Sequence, residues 1–254
     1  MHGKLTRVVV IGATSAIAEH CARLWVTKAA VELTLVGRDL AKTERVAADL
    51  RVRSPQSVIL VEHLADFTDV AAIDDLVARL TADRPVHKVL IAHGSLPDQR
   101  ACEQNLSNMT QALEINGLSP VAFAEAFARA MEKSQLGTLA LIGSVAGERG
   151  RKSNYVYGAA KGLVTRYAEG LQHRFARSPV KVVLIKPGPT ETPMTASMRQ
   201  SGKGGSMARV EDVAAAIVRG VDRGTPVIYA PAKWALIMLI ISNLPRFVFN
   251  KMDI

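Results

Sequence analysis

Seven short apolar runs, rich in β-branched residues, alternate along this chain with longer amphipathic segments. The runs read RVVVIG, ELTLVG, SVILVE, HKVLIA, GTLALIG, KVVLIK and TPVIYA. A strand that is apolar along its whole length needs cover on both faces, and helices between parallel strands provide it. Because crossovers between parallel strands are right-handed, the pattern predicts an α/β fold. We expect a doubly wound parallel sheet (Rossmann fold) of about seven strands with helices on both faces.

Length and composition favour a single domain over residues 1–254. Hydrophobic residues make up 48% of the chain and charged residues 22%, the balance of a folded globular protein. Two segments depart from the strand–helix alternation. A stretch rich in Gly, Ser, Thr and Met at about 189–209 is interpreted as a lid over a substrate pocket, although an idle surface loop has the same composition. The other is an apolar C-terminal segment at about 231–254.

Charge and cysteine content narrow the possible partners and compartment. The net charge of +9 favours anionic ligands, but the low aromatic content of 5% and the lack of a basic block argue against nucleic acid. Cys21 and Cys102 lie in no metal-binding or disulfide pattern, so we expect no metal and a reducing cytoplasm. The first residues predict a strand instead of a signal peptide, and no run reaches the ~20 apolar residues of a membrane-spanning helix.

The turn after the first run carries a phosphate-binding pattern, because the sequence continues as GATSAIAEHCA. Gly12 lets the backbone approach a pyrophosphate, and the following helix offers free N–H groups at the positive end of its dipole. Thr14 and Ser15 add hydroxyl donors, whereas Ala16 and Ala18 stand where further glycines are expected. The motif is significant because it lies in the first strand–helix unit, where a dinucleotide-binding turn is expected.

The end of the second run predicts which nicotinamide cofactor binds. An NAD enzyme tends to place an acidic residue there, where this chain has Gly37 followed by Arg38. Glycine leaves room, and a guanidinium binds a 2′-phosphate with two hydrogen bonds, so we expect NADP(H). Asp39 comes next and leaves NAD(H) open, and Arg38 could also be a solvated turn residue.

The third and fourth runs end beside the same predicted cofactor. Asp66 and Phe67 follow the third run, where an adenine ring would lie, and the fourth ends in Ala92, His93 and Gly94. Gly94 is predicted to lie close to the cofactor. A lone histidine at a strand end is more often a hydrogen-bonded structural residue than an acid or base, so His93 is interpreted as structural.

The strongest chemical pattern joins the fifth run to the helix after it. Tyr157 follows Ser144 by thirteen residues and precedes Lys161 by four. Four helical residues turn through about 400°, so Tyr157 and Lys161 share a face, whereas the six from Tyr155 to Lys161 turn through about 600°. Since an ammonium favours a nearby phenolate, we predict that Tyr157 exchanges a proton with the substrate and Lys161 tunes it. Ser144 would bond the carbonyl or alcohol oxygen while a nicotinamide handles the hydride.

These residues resemble the Y-x-x-x-K motif and preceding serine of the short-chain dehydrogenase/reductases, and the resemblance covers almost the whole chain. It implies that Asn116, in EINGLSP, completes a proton relay with Ser144, Tyr157 and Lys161. Pro187 and Gly188 match the family's P-G motif after the sixth strand, and Thr192 matches the threonine that contacts the nicotinamide carboxamide in the family. The family's T-G-x-x-x-G-x-G and N-A-G appear here as IGATSAIA and AHG, so the chain departs from the family pattern at the pyrophosphate contacts. The cofactor contacts expected in all are Gly12, Thr14, Ser15, Ala16, Ile17, Arg38, Asp66, Phe67, Ala92, Gly94, Tyr157, Lys161, Pro187, Gly188, Thr190 and Thr192.

Two short stretches, GERGRKSNYVYG and LPRFVFNKMDI, suggest a narrower likeness. They look like family members that act with a flavin oxidase to convert a decaprenylphosphoryl 2-keto-pentose to the arabinose epimer (the decaprenylphosphoryl-2-keto-ribose reductase type). Arg149, Arg151 and Lys152 could then bind a phosphodiester, or could equally be solvated loop charges. The alternatives are a soluble reductase of a small ketone or sterol-like substrate and a non-catalytic nucleotide-binding scaffold.

The apolar C-terminal segment has two interpretations. It could lie at a membrane surface, with Lys233, Arg246 and Lys251 near the headgroups, or pack on the core or in a subunit interface. The family resemblance implies a dimer or tetramer formed through its long fourth and fifth helices. We therefore expect a homo-oligomer in the cytoplasm, with peripheral contact at the inner membrane face as one possibility.

Overall fold

The computed structural model describes residues 5–196 and 206–252. Its seven strands form one parallel sheet in the order β3-β2-β1-β4-β5-β6-β7. This confirms the predicted doubly wound sheet. The strands are β1 Thr6–Ile11, β2 Val31–Gly37, β3 Val58–His63, β4 Lys88–Ile91, β5 Thr138–Ile142, β6 Lys181–Pro187 and β7 Val227–Ala230.

The helices lie between these strands and after the last one. They are α1 Ala16–Lys28, α2 Leu40–Arg53, α3 Val70–Thr81, α4 Gln99–Gln104, α5 Leu106–Leu113, α6 Ser119–Ser134, α7 Tyr155–Arg174, α8 Val210–Arg223, α9 Lys233–Asn243 and α10 Arg246–Phe249. A π-helical turn, Glu114–Leu118, separates α5 from α6. Such turns occur often at functional sites.

Alternating strand residues divide the hydrophobic core into two layers. In β1, Val8 and Val10 face α1, α2 and α8, whereas Val9 and Ile11 face α3, α6 and α7. This period of two explains why the strands are apolar along their whole length: each face of the sheet is covered by helices. Cys21 and Cys102 are buried and free, so the chain forms no disulfide between them.

The strand order places the functional loops. From β1 the sheet grows in one direction through β2 and β3 and in the other through β4 to β7. At this switch point the loops after β1 and β4 diverge to opposite faces, and a crevice opens at the carboxyl ends of the strands. The segments after β1, β4, β5 and β6, which carry most of the predicted site residues, meet there.

The C-terminal segment folds back onto the loop after β5. The Arg149 guanidinium donates hydrogen bonds to the carbonyl oxygens of Ile241 (2.6 Å), Ser242 (3.2 Å) and Leu244 (2.7 Å), at the end of α9. It also stacks on the Phe249 ring, 3.9 Å from the ring centroid. Arg149 is thus neither a solvated charge nor a free phosphate ligand. It caps the carbonyl end of α9, where a cation is favourable, and holds α10 in place.

We expect Arg149→Gln to loosen residues 241–250. Hydrogen bonds from a charged donor contribute about 1.5–3 kcal/mol, so amide hydrogen exchange in this segment should become about 10- to 100-fold faster. Lys152→Gln is the matched control, since it removes the same charge from an exposed position in the same loop. Equal exchange in the two variants would show that Arg149 does not anchor the segment.

Candidate active site

The turn between β1 and α1 is built for close approach. Gly12 has φ +80°, and a Cβ there would lie 2.7 Å from the backbone nitrogen and Cβ of His93. Only glycine therefore fits between the ends of β1 and β4. Ser15 is the N-cap of α1, and within the described chain its side chain makes no capping hydrogen bond. The first N–H groups of α1 thus face the crevice, ready for an anion.

The predicted 2′-phosphate site differs in detail from expectation. Gly37 has no room for a side chain, because a Cβ there would overlap Thr43 Oγ1, so the glycine allows α2 to pack closely against β2. Asp39 is engaged as the N-cap of α2, accepting from the Lys42 backbone N–H at 2.9 Å, and pairs with Lys42 Nζ at 3.2 Å. Hydrogen bonds from Lys42 hold the pKa of Asp39 below its usual range. Arg38 lies at the mouth of the crevice, its guanidinium 5.9 Å from the Phe67 ring.

A cavity lies where adenine binding was predicted, and it is lined by Arg38, Asp66, Phe67 and Gly94. Asp66 accepts two hydrogen bonds of 2.7 Å from Thr68, which hold the pKa of its carboxyl below the usual range. Phe67 is buried and forms part of the cavity wall. The structure thus brings together the residues predicted from the ends of three different strands.

His93 is held as a structural residue, in line with the sequence interpretation. Ser119 Oγ donates to the Phe67 carbonyl oxygen at 2.5 Å, so it accepts from His93 Nε2 at 2.8 Å. Burial, together with the nearby charges of Lys161 and Arg38, lowers the pKa of His93 to about 3. A neutral imidazole wedged between Phe67 and Phe123 is poorly placed to act as an acid.

The proton-transfer candidates line a second cavity, at the ends of β5 and β6. Ser144 caps a short 3-10 turn and accepts from the Ala146 N–H at 3.1 Å, while Tyr157 and Lys161 enter from the first two turns of α7. Lys161 Nζ lies 5.9 Å from the Tyr157 ring centroid and donates to the Ile142 carbonyl oxygen at 3.0 Å. Tyr155, 46% exposed, does not line this cavity among the described residues. The spacing thus identifies the inward-facing tyrosine.

Burial sets the protonation of this pair. It raises the pKa of Tyr157, and a hydrogen bond with Ser144 opposes the rise. Burial also lowers the pKa of Lys161, which is 3% exposed, to about 8. The expectation that Lys161 brings the pKa of Tyr157 down is therefore not met by the chain alone, because desolvation of the phenolate is the larger effect. Near pH 7 the phenol holds its proton beside a mostly charged ammonium, which suits proton donation to a carbonyl.

Asn116 lies in the π-helical turn and is fully buried. Its Oδ1 accepts from the Ser95 backbone N–H at 2.8 Å, and its Nδ2 donates to the Ala112 carbonyl at 2.9 Å and to Ser95 Oγ at 3.3 Å. A Cβ on Gly94 would lie 2.9 Å from Asn116 Oδ1 and 3.7 Å from Lys161 Nζ, so these groups are neighbours. The Asn116 side chain holds the loop after β4, and its role in a proton relay stays a prediction.

The loop after β6 forms the opposite wall. Pro187, Gly188, Thr190 and Thr192 all line the cavity, and Thr190 Oγ1 donates to the Gly188 carbonyl at 2.9 Å. The indole of Trp234, from α9, packs directly against Gly188. The predicted lid falls partly outside the described residues, which resume at Ser206.

Several lining residues were not among the predicted site residues, and Ser95, Asn154 and Met194 are three of them. Asn154 directly precedes α7, where an asparagine normally caps the helix, yet its side chain makes no capping bond. A sequence cannot distinguish a capping asparagine from one that faces a cavity. Within the described residues no cluster of His, Cys, Asp and Glu could hold a metal ion, and no helix is long and apolar enough to cross a membrane.

Comparison with known proteins supports the chemistry suggested by the geometry. A family model described as short chain dehydrogenase matches residues 6–203. An uncharacterised oxidoreductase of Mycobacterium tuberculosis is 32% identical over 248 residues, covering 96% of each chain. One of Streptomyces coelicolor is 26% identical over 245 residues, covering 96% of this chain and 95% of the relative. These descriptions give a reaction type but no substrate.

Solved structures share the fold at low sequence identity. A short-chain dehydrogenase from Sphingobium yanoikuyae in complex with NADPH superposes with a TM-score of 0.82 at 22% identity, covering 98% of this chain and 96% of that one. A short chain dehydrogenase from Burkholderia cenocepacia in complex with NADP gives 0.81 at 17% identity, covering 98% and 97%.

Proposed function

The chain belongs to the short-chain dehydrogenase family and is an oxidoreductase of that type, and from this premise we propose that it interconverts a carbonyl and a secondary alcohol with NADP(H). The observation that carries the proposal is the placement of Ser144, Tyr157 and Lys161 in one cavity at the carboxyl end of the sheet. A non-catalytic scaffold would have no need to bury an ammonium beside a phenol.

Each of the three residues has a distinct part in the reduction. Ser144 donates a hydrogen bond to the carbonyl oxygen and so fixes its position. Tyr157 donates its phenolic proton to that oxygen as negative charge develops on it. Lys161, held by the Ile142 carbonyl, stabilises the phenolate that remains. A bound nicotinamide would supply the hydride, or accept it in the reverse direction.

The preference for NADP(H) over NAD(H) is supported by the charges around β2. Arg38 faces the cavity that Asp66 and Phe67 line. The nearby carboxylate of Asp39 is committed to α2 and Lys42, so it is poorly placed to bind ribose hydroxyls. A guanidinium at this position suits a phosphate better than a diol. NADPH and NADP in complexes of structurally similar proteins fit this proposal.

We propose that the substrate is lipid-linked. In its narrowest form, the proposal is that the substrate is a keto-sugar on a polyprenyl phosphate. Its support is the outer face of α9 and α10, where Leu236, Leu239, Ile240 and Phe247 are exposed. Between Asp222 and Asp253 the sequence has no acidic residue, and Lys233, Arg246 and Lys251 are exposed near this face. An apolar surface with cations suits the anionic surface of a membrane, beside which a lipid-linked carbonyl could enter the cavity. A soluble reductase of small ketones is the alternative, and a homo-oligomer is proposed in either case.

Tyr157→Phe should reduce carbonyl-dependent NADPH oxidation at least ~100-fold, because the proton donor is lost. Tyr155→Phe is the matched control and should keep most of the activity, since Tyr155 does not line the described cavity. Both are assayed by the fall in NADPH absorbance with a panel of keto-sugars and keto-lipids. Equal rates for wild type and Tyr157→Phe would refute the catalytic assignment and favour a binding scaffold.

Arg38→Gln should weaken NADPH binding by about 10- to 100-fold, the worth of a charge-assisted contact, and leave NADH binding nearly unchanged. Titration calorimetry with both nucleotides makes NADH an internal control, since it lacks the 2′-phosphate. A wild-type protein that binds NADH more tightly than NADPH would contradict the proposed preference.

Wild-type protein should co-sediment with vesicles that contain anionic lipid, and the double variant Leu239→Ser, Phe247→Ser should bind at least ~10-fold more weakly because two exposed apolar anchors are removed. Leu106→Ser, at an exposed position on α5, is the control. If the wild type stays in the supernatant and reduces simple ketones, the soluble reductase is the better description.

A further inference from the structure

A second cation lines the cavity that holds Tyr157 and Lys161. Arg151 lies in the loop between β5 and α7, and it shares the cavity with Ser144, Asn154 and Met194. Its side chain is partly buried. Among residues 5–196 and 206–252, no group accepts a hydrogen bond from its buried Nε, and the contact found for its Nη2 is the Met238 sulfur at 3.7 Å. A thioether is a weak acceptor and provides little compensation for a guanidinium.

The carboxylate whose charge acts on Arg151 is already paired with other groups. Glu148 is the acidic residue whose charge acts on Arg151. Its Oε1 accepts from the Tyr229 hydroxyl at 2.7 Å and pairs with Lys186 Nζ at 3.1 Å. Both Glu148 and Lys186 are largely buried, so this pair is a closed unit. Glu148 therefore neutralises Lys186, and Arg151 is left as an excess positive charge.

The environment of the Arg151 guanidinium, which is partly buried without a counter-ion among the described residues, differs from the environments of its two basic neighbours. Arg149 has its hydrogen bonds met by three backbone carbonyls at the end of α9. Lys152 is exposed to water. Removal of a guanidinium from water without a counter-ion is unfavourable, and burial correspondingly lowers the pKa of Arg151. Such a cost is expected where a ligand completes the site.

A neighbouring polar group points to the same ligand. Asn154 Oδ1 is buried in the same cavity, and it has no hydrogen-bond partner in the described part of the chain. A purely apolar substrate would leave both Asn154 and Arg151 unsatisfied, which costs binding energy. An anionic substrate with a hydroxyl group close to the anion would satisfy both.

We propose that Arg151 determines substrate specificity by binding an oxyanion, a carboxylate or a phosphate, carried on the same molecule as the reacting carbonyl. The inference rests on the proposed function and narrows it. Arg151 binds two oxygens of the anion through its guanidinium, while Ser144 and Tyr157 bind the carbonyl oxygen. The two ends of the substrate are thereby held in the same cavity, which aligns the carbonyl for reduction.

The experiment compares matched anionic and neutral ketones. Acetoacetate is paired with its methyl ester, and dihydroxyacetone phosphate with dihydroxyacetone, so that the two pairs distinguish a carboxylate from a phosphate. The quantity measured is the ratio of kcat/KM for the anionic member to that for the neutral one. The wild type should favour the anion in at least one pair, and Arg151→Gln should lower that ratio about 10- to 100-fold.

Two further variants control for a general effect of charge. Lys152→Gln removes a charge from the same loop outside the cavity and should keep the wild-type ratio. Arg151→Lys should retain part of the preference, because an ammonium attracts the anion but cannot bind two oxygens in the guanidinium geometry. A wild-type ratio of one or less in both pairs, or a ratio unchanged in Arg151→Gln, would overturn the inference.

Binding is also measured without turnover. In a Tyr157→Phe background with NADPH present, the anionic ketones should raise Tm, and adding Arg151→Gln should abolish the rise. Turnover that depends on Tyr157 but ignores substrate charge would refute the anion site and leave the proposed function standing. Charge-dependent Tm shifts without Tyr157-dependent turnover would refute the proposed function and keep the anion site.

Discussion

The burial of the Lys161 ammonium beneath the carboxyl edge of the sheet is the constraint on which the site depends. Only 3% of the residue is exposed, and the Ile142 carbonyl at 3.0 Å is the hydrogen-bond acceptor found for Nζ. A charge in this position lowers the pKa of His93, and a positive charge favours the anionic form of a neighbouring group. Arg151 adds to the same positive field. The cavity is therefore suited to a reaction in which negative charge develops on an oxygen close to Lys161.

The C-terminal helices contribute to the walls of the cavity at the carboxyl edge of the sheet. Trp234 packs on Gly188, Met238 contacts Arg151, and the end of α9 is fixed by Arg149. One short helix thus touches both walls of the cavity, while its other face presents apolar side chains to the outside.

Much of the fold could be predicted from the sequence, because the periodicity of apolar residues and the spacing of polar ones indicate the strands and the shared helix faces. The seven strands were identified since each is a short apolar run, and Tyr157 was separated from Tyr155 by helical geometry alone. Contacts between distant segments could not be predicted in this way. The contacts of Arg149 with α9 and of Gly37 with Thr43 depend on tertiary packing, as does the burial that raises the pKa of Tyr157. The π-helical turn around Asn116 likewise has no local sequence signal.

Transfer of deuterium from NADPH labelled at C4 of the nicotinamide tests the central claim most directly. When the protein acts on a ketone with each labelled epimer in turn, mass spectrometry of the alcohol reports whether the hydride reaches the carbonyl carbon. We expect one deuterium on that carbon with one of the two epimers, and little alcohol from Tyr157→Phe in the same time. Alcohol without deuterium from either epimer, or equal amounts of labelled alcohol from both proteins, would contradict it.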